Sequence, residues 1–190
     1  VEFTPEDSGT VDAPITYAAY PDEKPVISGG RAITGWKREG NLWTANLPEA
    51  RDGAWTFTAL WVNGVRRTLA RLPHSGYYFS DGTVPDPALA GKRSRLSLRF
   101  FSGDIQPWQN MEDVRVVVTH AWETSVHHIA SIDDANRVVT FSAPAFMPFA
   151  QFSGVVPYYI DNVFEGLDGP GEWYLDRKKG ILYYWPEKGE

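Results

Sequence analysis

Short apolar runs, each closed by a Gly, Pro or Asx cluster, recur along this chain. Runs of three to six residues with period-two alternation predict strands, whereas apolar spacing of three to four predicts helix. The clearest run is the last, EWYLDRKKGILYYWP at 172–186. It predicts aromatic strands at 173–175 and 181–185, joined by a turn at 177–180. Gly180 supplies the position that tolerates φ > 0, and Pro186 stops the second strand. Two strands this short are not stable alone, so their aromatic faces need cover from earlier residues. The early runs at 15–20 and 26–28 are the expected cover. VRVVVT at 114–119 predicts a central strand, and 126–141 a hairpin about the polar turn 133–136. Asn63-Gly64 between β-branched residues is the strongest short-range hairpin signal. Further strands are predicted at 42–47, 55–62 and 95–101, with short ones at 32–34 and within 1–8. Residues 73–92 predict a long loop punctuated by Gly and Pro. Only 158–167 (YYIDNVFEGL) has helical spacing, with Tyr159, Val163, Phe164 and Leu167 near one face.

These elements add up to an all-β fold with a β-hairpin at 172–186, and the short early runs suit rungs of a parallel β-helix as well as a sandwich. Composition agrees with many short strands joined by tight turns. The 190 residues include 8 Trp, 9 Tyr, 10 Phe, 17 Gly and 14 Pro. A formal net charge of -6 without a basic block argues against nucleic acid as a partner. No run of eighteen apolar residues is present, so no membrane-spanning helix is expected. The absence of cysteine excludes disulfides and thiolate metal sites.

Aromatic richness without an acid–base constellation points to carbohydrate handling through ring stacking. Trp61, Tyr77, Tyr78 and Trp108 are the candidate sugar-binding residues. Arg66, Arg67 and Arg71 read as a solvated strand face or as ion partners, with binding of an anionic ligand or a sugar as the alternative. His127 and His128 are adjacent and face opposite sides of a strand, so at most one joins His120. These histidines therefore read as structural, and no metal ligand is assigned. Asp133, Asp134 and Asn136 read as an Asx-turn rather than a calcium loop. Asp161, Glu165, Asp168, Glu172 and Asp176 crowd one region, and Asp161 and Glu165 would share a helix face. That pattern alone makes no glycosidase pair, so no catalytic residue and no cofactor is expected.

The stretches DSG (7–9), PITYAAYPDEKPVISGG (14–30), GW (35–36), LWVNGVRRTLARLP (60–73), WETS (122–125) and PGEWYLDRKKGILYYWPEKGE (170–190) carry a resemblance. The chain resembles the N-terminal region of secreted bacterial right-handed parallel β-helix proteins, including glycoside hydrolases acting on plant glycans. The resemblance implies β-helix-like edge strands at 1–36, an inserted antiparallel β-barrel or sandwich at 37–171, and a hairpin returning to the β-helix at 172–190. It also implies a secreted or periplasmic location. The expected partners are a plant or algal polysaccharide and the missing β-helix rungs of a parent chain. The family's catalytic carboxylates lie on later rungs, which implies a non-catalytic structural or substrate-cleft module. An autonomous carbohydrate-binding module and a small glycoside hydrolase are the alternatives. The abrupt start at VEFTPEDSGT implies that a longer N-terminal region precedes it.

Overall fold

The computed structural model describes residues 2–86 and 92–190. The chain divides into two compact units, Val1–Ile33 and Thr34–Glu190. The first unit holds a single 3-10 turn, Pro5–Asp7, entered through Thr4, whose backbone N–H donates to the Asp7 carboxylate at 2.8 Å. Among its described residues the expected strands at 15–20 and 26–28 do not form, nor does one at 32–34. An extended segment becomes a strand only where a neighbouring backbone takes up its donors and acceptors. No ladder reaches these segments, and Tyr20, Val26 and Ile27 are exposed.

The second unit begins with β1 (Lys37–Glu39), β2 (Leu42–Asn46), the single-turn helix α1 (Pro48–Arg51), β3 (Leu60–Val62) and β4 (Val65–Leu69). Next come β5 (Arg71–Leu72), β6 (Tyr78–Phe79), β7 (Pro85–Asp86), β8 (Lys92–Arg93) and β9 (Ser97–Arg99). β10 (Arg115–Thr119), β11 (Thr124–Asp133), β12 (Val138–Phe141), β13 (Pro157–Asp161), β14 (Glu172–Asp176) and β15 (Ile181–Tyr184) complete it. One sheet has the order β1-β2-β15-β14-β4-β3, and the other β5-β13-β10-β11-β12-β9, with β6 also pairing β13. The contact of β14 with β4 is parallel; the other ladders are antiparallel. The fold is all-β.

The terminal hairpin β14–β15 is central to its sheet. β2 covers one side, with Leu182 opposite Ala45, and β4 the other, with Trp173 opposite Leu69. Its strand partners are therefore β2 and β4, where 15–20 and 26–28 were expected. At the turn, Gly180 has φ 68°, and its carbonyl accepts the Leu47 N–H at 2.6 Å. Asn63 and Gly64 have φ of 52° and 78° between the paired Val62 and Val65. Two positive φ values in a two-residue loop give the turn whose twist matches its strands.

The helix expected near 158–167 is replaced by β13 and one 3-10 turn, Phe164–Gly166. Tyr158 and Ile160 are fully buried and alternate with the half-buried Pro157 and Tyr159, so period two prevails over the three-to-four spacing. Asn162, at φ 54°, then turns the chain out of the strand. The strand expected at 55–62 shrinks to Leu60–Val62. Tyr78–Phe79 inside the expected loop 73–92 pairs with β13, and residues 87–91 lie outside the described residues.

The main core lies on the second sheet, where β10 is flanked by β11 and β13. Val114, Val116, Val118, Phe100, Tyr158 and Ile160 are among its members. Each such aliphatic side chain contributes roughly 1.5–3 kcal/mol relative to exposure. A smaller core gathers Ala70, Leu167 and Tyr174. A polar seam ties the sheets together. The Asn162 amide donates to the carbonyls of Asp113 and Leu175 and accepts the Leu175 N–H, each at 3.2 Å. Asp113 in turn accepts the Arg177 backbone N–H at 3.1 Å and pairs with its guanidinium.

Candidate functional site: an aromatic pocket beside the β10–β11 turn

β10 ends in a tight turn closed by the His120 N–H donating to the Glu123 carbonyl at 2.8 Å. A Trp within such a turn has no strand face to occupy, and Trp122 is 73% exposed. Opposite it runs the loop between β12 and β13. That loop is anchored by Phe149, which is buried and packs on Phe141 at 5.4 Å and on His120 at 5.6 Å. The Ala145 N–H donates to the Arg95 carbonyl at 2.7 Å, and Phe149 N–H to the Ser94 carbonyl at 2.9 Å. The fixed loop carries Phe152, 62% exposed, to within 5.0 Å of the Trp122 ring centroid, at an interplanar angle of 47°. The two rings border a cavity of about 250 Å³.

Polar groups converge on this apolar wall. Glu123 lines the cavity, and its Oε1 is shielded from solvent without a hydrogen-bond partner. A shielded carboxylate oxygen costs free energy until a donor reaches it. Gln151 and Ser153 also line the cavity, whereas no Lys or Arg does among the described residues. His120, which also lines the cavity, shares the Ser125 hydroxyl with His127, each Nε2 lying 2.8 Å from Oγ. The hydroxyl can donate to one Nε2 and accept from the other, the direction following the ring tautomers. Burial lowers the pKa of both rings below 6.5; Glu123 opposes this at His120, as does a hydrogen bond with the Ala143 backbone at His127.

The four expected sugar-binding aromatics form no single platform. Trp61, 57% exposed, lies on β3 of the first sheet with the Arg66 guanidinium 5.8 Å from its ring. Tyr77 is exposed beside Tyr159, with ring centroids 6.2 Å apart, and Tyr78 is half-buried against Tyr158 at 5.7 Å. Trp108 is a correction: it belongs to the core at 8% exposure and presents no face to a ligand. Its indole closes the end of the second sheet's core, a use that an aromatic count does not reveal.

Asp161, Glu165 and Asp176 of the expected acidic cluster serve separate contacts. Asp161 makes a two-pronged ion pair with Arg115 at 2.7 Å; burial pushes its carboxyl up, and Arg115 pulls it back. Glu165 accepts the Gln109 N–H at 3.2 Å, and Asp176 the Lys179 N–H at 2.9 Å. Asp133 accepts the Asn136 N–H at 3.0 Å and its amide at 2.8 Å, as an Asx-turn requires. His120, His127 and His128 form no metal-ligand group with carboxylates among the described residues. A second cavity, about 230 Å³, opens where the sheets meet, lined by Arg115 and Arg177. Both are already paired, with Asp161 and Asp113 respectively.

Comparison with solved structures relates this architecture to a glycoside hydrolase. The two share 28% sequence identity with a TM-score of 0.69, over 98% of this chain and 33% of that one. The chain thus spans about a third of that protein and is a glycoside hydrolase-related domain. More particularly, residues 102–187, from before β10 to beyond β15, match the family profile of the GH141 insertion domain. No curated protein sequence matches the chain.

Proposed function

We propose that the chain is a non-catalytic, substrate-cleft module of a β-helix carbohydrate-active enzyme, secreted or periplasmic. In this reading the Trp122–Phe152 pocket contacts a neutral sugar of a plant or algal polysaccharide. The carrying observation is the exposed Trp122–Phe152 ring pair bordering a cavity that Glu123 also lines. An aromatic face takes up the C–H face of a sugar ring, and a carboxylate accepts a hydrogen bond from a sugar hydroxyl. Uronates are disfavoured, because Glu123 repels them and no Lys or Arg lines the cavity among the described residues. The relation to a glycoside hydrolase three times as long supports a modular role, with the reacting groups supplied elsewhere in a parent chain. Glycoside hydrolysis needs two carboxyls on opposite sides of one bond, and Asp161, Glu165 and Asp176 are engaged in separate contacts.

Calorimetry of the full chain against neutral and uronic oligosaccharides, with product release read in parallel, tests this. Binding of neutral oligosaccharides without turnover is expected. Trp122→Ala should weaken it about tenfold or more, roughly 1.4 kcal/mol. A wild-type chain that binds no neutral glycan, or one that releases product, overturns the reading.

A further inference from the structure

We propose that His74, Asp168 and Glu172 form a binding site for a divalent transition-metal ion, zinc by preference. This site is separate from the aromatic pocket and was not expected from the sequence. His74 lies in the turn after β5, Asp168 precedes β14, and Glu172 opens that strand. Folding brings one ligand atom from each within 4.8 Å of the other two. His74 Nε2 lies 3.0 Å from Asp168 Oδ2, and Nδ1 lies 3.7 Å from Glu172 Oε1. Tetrahedral zinc bonds of roughly 2.0–2.2 Å hold ligand atoms about 3.3 Å apart. The His74 Nε2–Asp168 Oδ2 separation is close to that value, whereas Glu172 Oε1 lies beside the other ring nitrogen. The side chains of His74 and Asp168 are 46% and 59% exposed, so rotation of either can bring both carboxylates to one ring nitrogen.

The surroundings are built, not incidental. The Glu172 side chain is 13% exposed, and its Oε2 accepts the backbone N–H groups of Asp168 and Gly169, both at 3.0 Å. That leaves Oε1 as the oxygen directed at His74. On the other side, the Arg71 guanidinium donates to the carbonyls of Pro73 at 3.1 Å and Gly76 at 2.6 Å, tying down the turn that carries His74. One imidazole with two carboxylates suits zinc, with water in the fourth position, whereas calcium prefers an all-oxygen shell.

The test is calorimetric titration of untagged, chelator-treated full chain with zinc chloride at pH 7.5, with thermal melting followed in parallel. One equivalent of zinc should bind and raise the melting temperature. His74→Ala and Asp168→Asn, both at solvent-exposed positions, should each weaken binding at least tenfold. His128→Ala, which removes an exposed histidine elsewhere, should leave it unchanged. Failure of the wild type to bind, or binding that survives His74→Ala and Asp168→Asn, overturns the site, as does binding lost in His128→Ala.

Discussion

Asn162 does at one position what the sheets cannot do for themselves. Its φ of 54° ends β13, and its amide satisfies backbone groups of Asp113 and Leu175 inside the seam. Asn tolerates the left-handed region better than other side chains, and its amide is both donor and acceptor. Asn162→Ala should therefore destabilise the fold by about 3 kcal/mol, combining unsatisfied buried groups with backbone strain. Asn162→Gly should recover about 1 kcal/mol of that loss, since glycine removes the strain but not the lost bonds. Urea unfolding of both variants checks this, and equal losses would show that strain is not involved. A similar contrast holds between two turn glycines. A Cβ at Gly64 meets nothing within 4 Å, whereas one at Gly180 falls 2.8 Å from the Leu47 carbonyl oxygen. Alanine at Gly180 should thus cost more than alanine at Gly64, which carries strain alone.

At the scale of elements, what the sequence reveals follows from how local each cause is. The Asn63-Gly64 and 177–180 turns are legible because their φ demands fall on the residues that define them. The stretch 158–167 is not, because YYIDNVFEGL satisfies both periods and only pairing with β10 and β5 decides between them. Trp122 was missed for the same reason: its partner Phe152 arrives from a loop beyond β12. The His120–Ser125–His127 chain gives the β10–β11 turn a pH dependence. Both rings have folded pKa values below the ordinary 6.5, so between those values the unfolded chain binds more protons. Their contribution is intact above about pH 7 and is lost as pH falls through 6.5 toward the folded values. Asp161 acts in the opposite sense, but from the carboxylate range upward from 3.8. Urea midpoints should fall between pH 7.5 and 5.5, and His120→Gln with His127→Gln should flatten that slope. An unchanged slope would remove these rings as its source.

For the whole molecule, the two units differ in what they bury. No described hydrophobic side chain before Ala45 is buried, while Val11, Tyr20, Val26 and Ile27 are 99%, 75%, 86% and 80% exposed. Apolar exposure on this scale promotes association unless something covers it. The clusters around Val116 and Tyr174, by contrast, draw only on residues of Thr34–Glu190. A unit that supplies its own core is able to fold alone. Deleting residues 1–33 should therefore leave a cooperative thermal transition within about 2 °C of the full chain, since loss of even 1 kcal/mol shifts a domain this size by roughly 2–4 °C. The same deletion should reduce concentration-dependent association in sedimentation velocity. A shortened chain that melts without cooperativity would show that the β2–β15–β14–β4 arrangement depends on the first unit. The zinc and glycan measurements would then belong to the full chain alone. A shortened chain that keeps its transition makes Thr34–Glu190 the folding unit, with the aromatic pocket and the His74 cluster both inside it.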